Sequence, residues 1–486
     1  SLHDALPIFG CLHVRPVINL KTESGVRTFE ALAGDVADLV LEFGGALSGE
    51  HGDGLVRSPF MRKMFGPVLY EAFRSIKRTF DPQGILNPGK IVDSPPLTAN
   101  LRYGAGYRTP NPPTYFDFDE FGGMGGAVDM CSGLGACRKK LDGTMCPSYM
   151  ATRDEAHSTR GRANVLRLAM AGRLGAAGLG DEGVRTVLDL CLECRACKSE
   201  CPVGVDMARF KSEFLAEYWK TRGVSRQARL LGHIHEVSAW SSRLAPLANL
   251  AARSWPGRLL NEWVFGIDRR RRVPAWTRDT LTRRFPKRTW QRRGSGVETG
   301  SAPRALVFRD TFVEFYTPEI ALAGAEVLNS IGLAVDLAPN GCCGRPLISQ
   351  GLLDEAREKA TANTARLFPL VDAGATLVFF EPSCLSAVKE DAPDLLRGEA
   401  QRRARQIAAA SVLFEAFVEG HCGAGGATLG LRAGPSTILL HGHCHQKSFG
   451  VMGSVERVLG AVPGLTVKPI ESSCCGMAGA FGYGVE

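Results

Sequence analysis

The sequence predicts a multidomain α+β and α/β protein. Three observations predict it. The length of 486 residues suits about three domains at roughly 100–200 residues each. Helical and strand periodicities alternate along the chain. Fifteen cysteines gather into tight groups. Hydrophobic content of 44% and charged content of 22% are ordinary for a soluble globular chain. No apolar run of ~18 residues predicts a membrane span, and no basic start with an apolar core marks a secretory signal. The CxxC and CC spacings suit metal binding in a reducing compartment. A disulfide framework belongs mostly to small secreted chains.

Residues 9–95 form the first region. Val26, Phe29, Ala33, Val36, Val40 and Phe43 repeat at helical spacing, and Gly44-Gly45 ends that helix. A glycine-rich loop, Ser48 to Gly54, follows. Leu69, Phe73, Ile76 and Phe80 mark a second helix that stops at Asp81-Pro82. Residues 96–120, rich in Gly, Pro and Tyr, read as a linker. Residues 121–225 hold seven cysteines. Residues 226–300 are a helical, then basic, connector. Residues 301–486 contain a repeat, with each half reading strand, helix, short strand and CCG loop. Ala305–Phe308 and Thr437–Leu440 open the halves, and the loops are Cys342-Cys343-Gly344 and Cys474-Cys475-Gly476. The first half continues to Leu377–Phe380 and Cys384. The second has no room to do so, which predicts an incomplete repeat. Ser1–Ile8 reads as a translated adapter scar and is set aside.

The net charge of +8 is concentrated in one place. Between Asp268 and Arg293 stand eleven Lys/Arg and two Asp, so the rest of the chain is near neutral. No recognition motif accompanies the charge, which argues against nucleic-acid binding. The segment reads as a solvated linker or as a peripheral contact with anionic lipid, to which Trp276 and Trp290 would contribute.

Cys191, Cys194, Cys197 and Cys201-Pro202 have the spacing of iron–sulfur ligands. Two-residue gaps let the backbone wrap one corner of a four-iron cubane. Zinc sites more often show two separated CxxC pairs. Cys131, Cys137 and Cys146-Pro147 form a partner motif in which Leu134 occupies the place of a thiol. In two-cluster ferredoxins the Cys before Pro ligates the other cluster. By that rule Cys146 joins Cys191, Cys194 and Cys197 in a complete 4Fe-4S site. Cys131, Cys137 and Cys201 are left as three thiols. They suit a 3Fe-4S cluster, a four-iron cluster with a non-cysteine ligand, or no stable cluster.

The CCG loops, with Cys384 and Cys444, bring six thiols to matching points of a repeat. Cys342, Cys343, Cys384, Cys444, Cys474 and Cys475 therefore read as redox or cluster candidates, against the plainer reading of buried structural cysteine. Taken alone, Glu50-His51 reads better as a surface turn, and His13 alone carries little.

Together these pieces resemble a known set of modules. Cys11–Pro16, Ser48–Gly54 and Phe80–Lys90 are similar to the C-terminal part of FAD-linked oxidases of the D-lactate and D-2-hydroxyglutarate dehydrogenase type. Residues 121–225 resemble the two-cluster ferredoxin domain of glycolate oxidase and anaerobic glycerol-3-phosphate dehydrogenase iron–sulfur subunits. Residues 301–486 resemble the tandem CCG domains of those subunits and of heterodisulfide reductase. The order is that of fused FAD/iron–sulfur D-2-hydroxyacid dehydrogenases, truncated at both ends.

The resemblance implies that His13 and Glu50 help hold a divalent metal such as zinc, that His51 is the catalytic base, and that Asn87 lies near the flavin. It implies FAD held mostly by a domain absent here. It also implies a small D-2-hydroxyacid substrate and a quinone or redox-protein acceptor, in the cytoplasm or at the cytoplasmic face of a bacterial inner membrane. The pattern expects a leading Cys near Asp310, so a full cluster in the first CCG half stays open. The rival expectation is a non-catalytic electron-transfer subunit of the glycolate oxidase, glycerol-3-phosphate dehydrogenase or heterodisulfide reductase type.

Overall fold

A computed structural model describes residues 16–49, 51–141, 143–175, 177–287, 304–422 and 429–485. The chain divides into two compact units, residues 1–109 and 110–486.

The first unit is built on two long helices. Glu23–Glu42 starts where Thr22 Oγ1 accepts the Gly25 N–H at 3.1 Å, a side-chain N-cap. Met61–Phe80 is broken at Gly66, whose φ of 75° ahead of Pro67 is open to glycine but strained for other residues. The helix ends at Asp81, whose carboxylate accepts the N–H groups of Ile85 at 2.8 Å and Leu86 at 2.9 Å. The following loop is thereby folded back against Phe73, Ile76 and Phe80. Much of the unit's apolar surface remains bare. Phe43, Val68 and Phe80 are each about four-fifths exposed.

The second unit opens with short helices that wrap the cysteine motifs. Its principal helices are Thr159–Met170, Glu182–Asp189, Ala196–Glu200 and Met207–Arg222. Ser158 and Asp181 cap the first two through side-chain oxygens. Phe116, Leu166, Leu188, Phe210 and Phe214 form the core and enclose six of the seven cysteines of this region. Helices from Arg226–Gly232 to Trp255–Phe265 then lead into the basic segment.

The Trp276 indole donates to Ser238 Oγ at 3.1 Å, and its backbone pairs with the Asn249 side chain in both directions. Trp290 lies outside the described residues. Among the described residues no helix is long and apolar enough to cross a membrane.

The remainder is α/β. Strands β1 (Arg304–Val307), β2 (Ala334–Leu337), β3 (Thr376–Phe379) and β4 (Ser411–Leu413) form a parallel sheet in the order β2-β1-β3-β4. Helices Pro318–Ser330, Leu353–Asp372 and Gly398–Ala409 make the crossovers. β1 and β3 are nearly continuous apolar runs, as strands covered on both faces must be. Strands β5 (Thr437–Leu440) and β6 (Thr466–Pro469) form a separate parallel pair. One CCG loop follows β2 and the other follows β6.

Candidate functional site

The loop Cys191–Cys197 is shaped by two left-handed residues, Glu193 (φ 50°) and Arg195 (φ 59°). Each costs about 1–2 kcal/mol for a residue with a Cβ. Buried ion pairs hold them there. Glu193 accepts from Arg345 Nη2 at 2.6 Å. Arg195 pairs with Asp391 and, at 2.8 Å, with Glu390. Arg345 also reaches Asp391, at 3.4 Å. The pinned loop turns Cys191, Cys194 and Cys197 into one cavity, where Cys146 joins them.

Arg162, 1% exposed, forms another wall of that cavity. Its Nε donates to the Val187 carbonyl at 3.1 Å and its Nη1 to Cys146 Sγ at 3.3 Å. Its Nη2 is buried without a hydrogen-bond partner among the described residues. Burial pushes the thiols of Cys191, Cys194 and Cys197 up, because a bare thiolate is poorly solvated there. Thiolates bound to metal would remove that penalty, and an anionic cluster would give Arg162 its counter-charge. The donor set therefore fits a four-thiolate iron–sulfur cluster.

Cys131 and Cys137 are buried together, and Cys201 is half-buried. Cys137 Sγ accepts the Arg160 N–H at 3.3 Å, and burial pushes its thiol up. Leu134 is 68% exposed, between Gly133 and Gly135, both at positive φ. The residue in the thiol's place thus faces solvent.

In the α/β part, the loops after β1, β2 and β3 converge. Asp310 follows β1, Cys342 and Cys343 follow β2, and Cys384 follows β3. The sulfurs of Cys343 and Cys384 lie 3.0 Å apart. Asp310 is buried. Its Oδ1 accepts the N–H groups of Phe312 at 2.8 Å and Val313 at 3.0 Å. Burial, reinforced by the charge of Glu381, pushes its carboxyl up to about 7. After β6, a hydrogen bond with Cys444 holds Cys474 down and Cys444 up. Ser448, at the end of the helix Cys444–Ser448, donates through its Oγ to the Arg195 carbonyl at 3.2 Å, so this helix stands beside the loop that lines the four-thiol cavity. Cys475 is exposed.

Among the described residues no three His, Cys, Asp or Glu side chains converge on a point that could hold one metal ion. A cubane is a different case, since its thiolates bind four separate corners. His13 and Glu50 lie outside the described residues. His51 is exposed, and so is Asn87, whose Oδ1 accepts from Lys90 Nζ at 3.3 Å. Among its described residues the first unit shows an open pocket lined by Phe73, Ile76, Phe80, Leu86 and Ile91. Arg162, Arg195 and Arg345 are not marked by any spacing rule. The one signal for two of them is position, Arg195 inside the CxxC run and Arg345 directly after CCG.

These features define an iron–sulfur protein in which buried thiols extend from a helical domain into a parallel α/β domain. Residues 9–91 match the C-terminal domain of FAD linked oxidases, and residues 127–205 match the 4Fe-4S dicluster domain. Over 98% of its length the chain is 29% identical to a D-2-hydroxyglutarate dehydrogenase of Pseudomonas putida. It is 23% identical, again over 98%, to the Escherichia coli protein of that name. It spans about half the length of these relatives, 49% of each. It is also 28% identical over 65% of its length to the C subunit of the anaerobic glycerol-3-phosphate dehydrogenase of Escherichia coli, covering 76% of that protein. No solved structure matches the chain at a significant level.

Proposed function

We propose that this chain is the electron-carrying portion of a flavin- and iron–sulfur-dependent dehydrogenase. It would oxidise a D-2-hydroxyacid, such as D-2-hydroxyglutarate or D-lactate, to the 2-oxoacid. The observation that carries the reading is the buried cavity walled by Cys146, Cys191, Cys194 and Cys197 with Arg162 turned into it. Flavin, when bound, supplies the two-electron oxidation, and clusters pass electrons on singly. In this reading His51 takes the hydroxyl proton as general base, and His13 and Glu50 hold a metal that orients the substrate. Cys131, Cys137 and Cys201 serve a second, weaker cluster.

The likeness to the C subunit of anaerobic glycerol-3-phosphate dehydrogenase supports a second reading, a non-catalytic electron-transfer protein. Both readings need the clusters. The test is iron and sulfide analysis with electron paramagnetic resonance on anaerobically purified chain. At least four irons per chain are expected, and Cys194→Ala should lose one cluster's signal. Stoichiometric zinc without iron and sulfide would refute both readings.

A further inference from the structure

In a parallel sheet, ligands and reactive groups collect at the carboxyl ends of the strands, where the strand order reverses. Here the order reverses at β1, since β2 lies on one side of it and β3 on the other. Asp310, Cys343 and Cys384 stand on the three loops at that edge. The β2 loop is fixed to the β1 loop and to the helix Leu353–Asp372. Asn340 accepts the Arg309 N–H at 3.1 Å and donates to the Arg309 carbonyl at 3.0 Å. Asn363 accepts the Gly341 N–H and donates to the Cys342 carbonyl, both at 2.8 Å. The loop that carries Cys343 is therefore held on both flanks, and Cys343 meets Cys384 of the β3 loop at 3.0 Å.

We propose that Cys343 and Cys384 are a redox-active dithiol/disulfide couple that exchanges electrons with the neighbouring iron–sulfur cluster. The cluster itself rests on the reading above. Closing the pair needs about 1 Å of movement to reach S–S bonding distance. Oxidation breaks two S–H bonds and forms one S–S bond, releasing two protons and two electrons. Asp310 Oδ2 is buried without a hydrogen-bond partner among the described residues and receives the Cys384 proton. The other proton goes to solvent. The electrons leave one at a time to oxidised clusters, and the reverse flow restores both thiols.

Two features favour a cluster over a soluble thiol as the exchange partner. Both sulfurs are buried, so a bulky thiol cannot attack them in line. Arg345 joins the two places directly, its backbone N–H meeting Cys343 Sγ at 3.5 Å and its guanidinium meeting Glu193 of the cluster loop at 2.6 Å. A two-electron store beside one-electron carriers would let the chain accept a hydride's worth of electrons in one place.

The test begins with iron and sulfide analysis of the anaerobic chain. The protein is then poised with redox mediators, unfolded in acid with an alkylating reagent, digested and mapped by mass spectrometry. Cys343 and Cys384 should be alkylated at the reducing end and joined in one peptide pair at the oxidising end. In coulometric titration, Cys343→Ser and Cys384→Ser should each take two fewer electrons per chain than the parent. Free thiols at every poise, or an unchanged electron count, would overturn the couple. So would zinc that is lost on Cys384→Ser, since the thiols would then be metal ligands. A chain without iron and sulfide counts against the cluster reading instead. The joined peptide, measured in the parent chain, still decides the couple in that case or if the variants fail to fold.

Discussion

Replacing Arg195 by Met keeps its bulk and removes its charge. Arg195 is 1% exposed and Asp391 is fully buried. In the variant Asp391 retains only Arg345 at 3.4 Å and Arg209 at 3.6 Å, and Glu390 retains Lys198 at 2.6 Å. Breaking one side of a buried pair costs about 3–5 kcal/mol, because the remaining charge stays desolvated. For a unit spanning residues 110–486, at about 2.1 cal/mol/K per residue, each kcal/mol moves the midpoint by about 1.3 °C, so the thermal midpoint of the second unit should fall by about 4–6 °C. Scanning calorimetry of the full chain reads this directly. A second variant, Arg195→Met with Asp391→Leu, removes both charges and should recover much of the loss. A fall below about 2 °C in the single variant, or no recovery in the double, would refute the assigned role of the network.

Arg162→Lys should retain iron but lower the potential of its cluster, since a hydrogen bond to a ligand sulfur stabilises the more anionic reduced state. Losing about 1.5 kcal/mol of such stabilisation corresponds to about 60 mV, read by a potentiometric titration; an unchanged potential at full iron content would contradict it. Leu134→Cys should shift the site of Cys131, Cys137 and Cys201 toward a four-thiolate cluster. If both clusters already give identical four-iron spectra in the parent, Leu134 has no such effect. Burial pushes the carboxyl of Glu213 up to about 7 even though it accepts the Phe116 N–H at 2.7 Å. The folded state then holds a proton that the unfolded chain releases, so this group's contribution is complete below about pH 4.5 and fades as pH rises to about 7, by about 3 kcal/mol. Glu213→Gln should flatten that part of the stability profile, and an unaltered slope in urea melts across the window would exclude Glu213 as its source.

The cysteine groupings could be read from the sequence because short gaps restrict where sulfurs can point. Cys191, Cys194 and Cys197 are close in sequence, and Cys146 joins them through a spacing rule tied to the following proline. The strands at 305, 377 and 437 were legible as short apolar runs, and the two first-unit helices by their period. The charges that hold the cluster loop were not legible. Arg195 finds Asp391 and Glu193 finds Arg345 across more than 150 residues. No local pattern marks such partners. The hydrogen bonds of Trp276 to Ser238 and Asn249 were not legible either, because they are set by tertiary packing. Asp310 was noticed only as a missing cysteine. Its placement on a loop beside those of Cys343 and Cys384 depends on three strands lying side by side.

The bare apolar side chains of the first unit have a practical consequence. Phe43, Val68 and Phe80 lie on one small two-helix body, and large exposed apolar patches promote self-association in water. Residues 16–109 will then contribute to self-association, beside the exposed Trp240, Trp255 and Trp263 of the second unit. Concentration, ionic strength and mild detergent should change its sedimentation without changing its visible spectrum. Oligomers of purified material would in that event report on this sticky surface and carry no information about the assembly that transfers electrons.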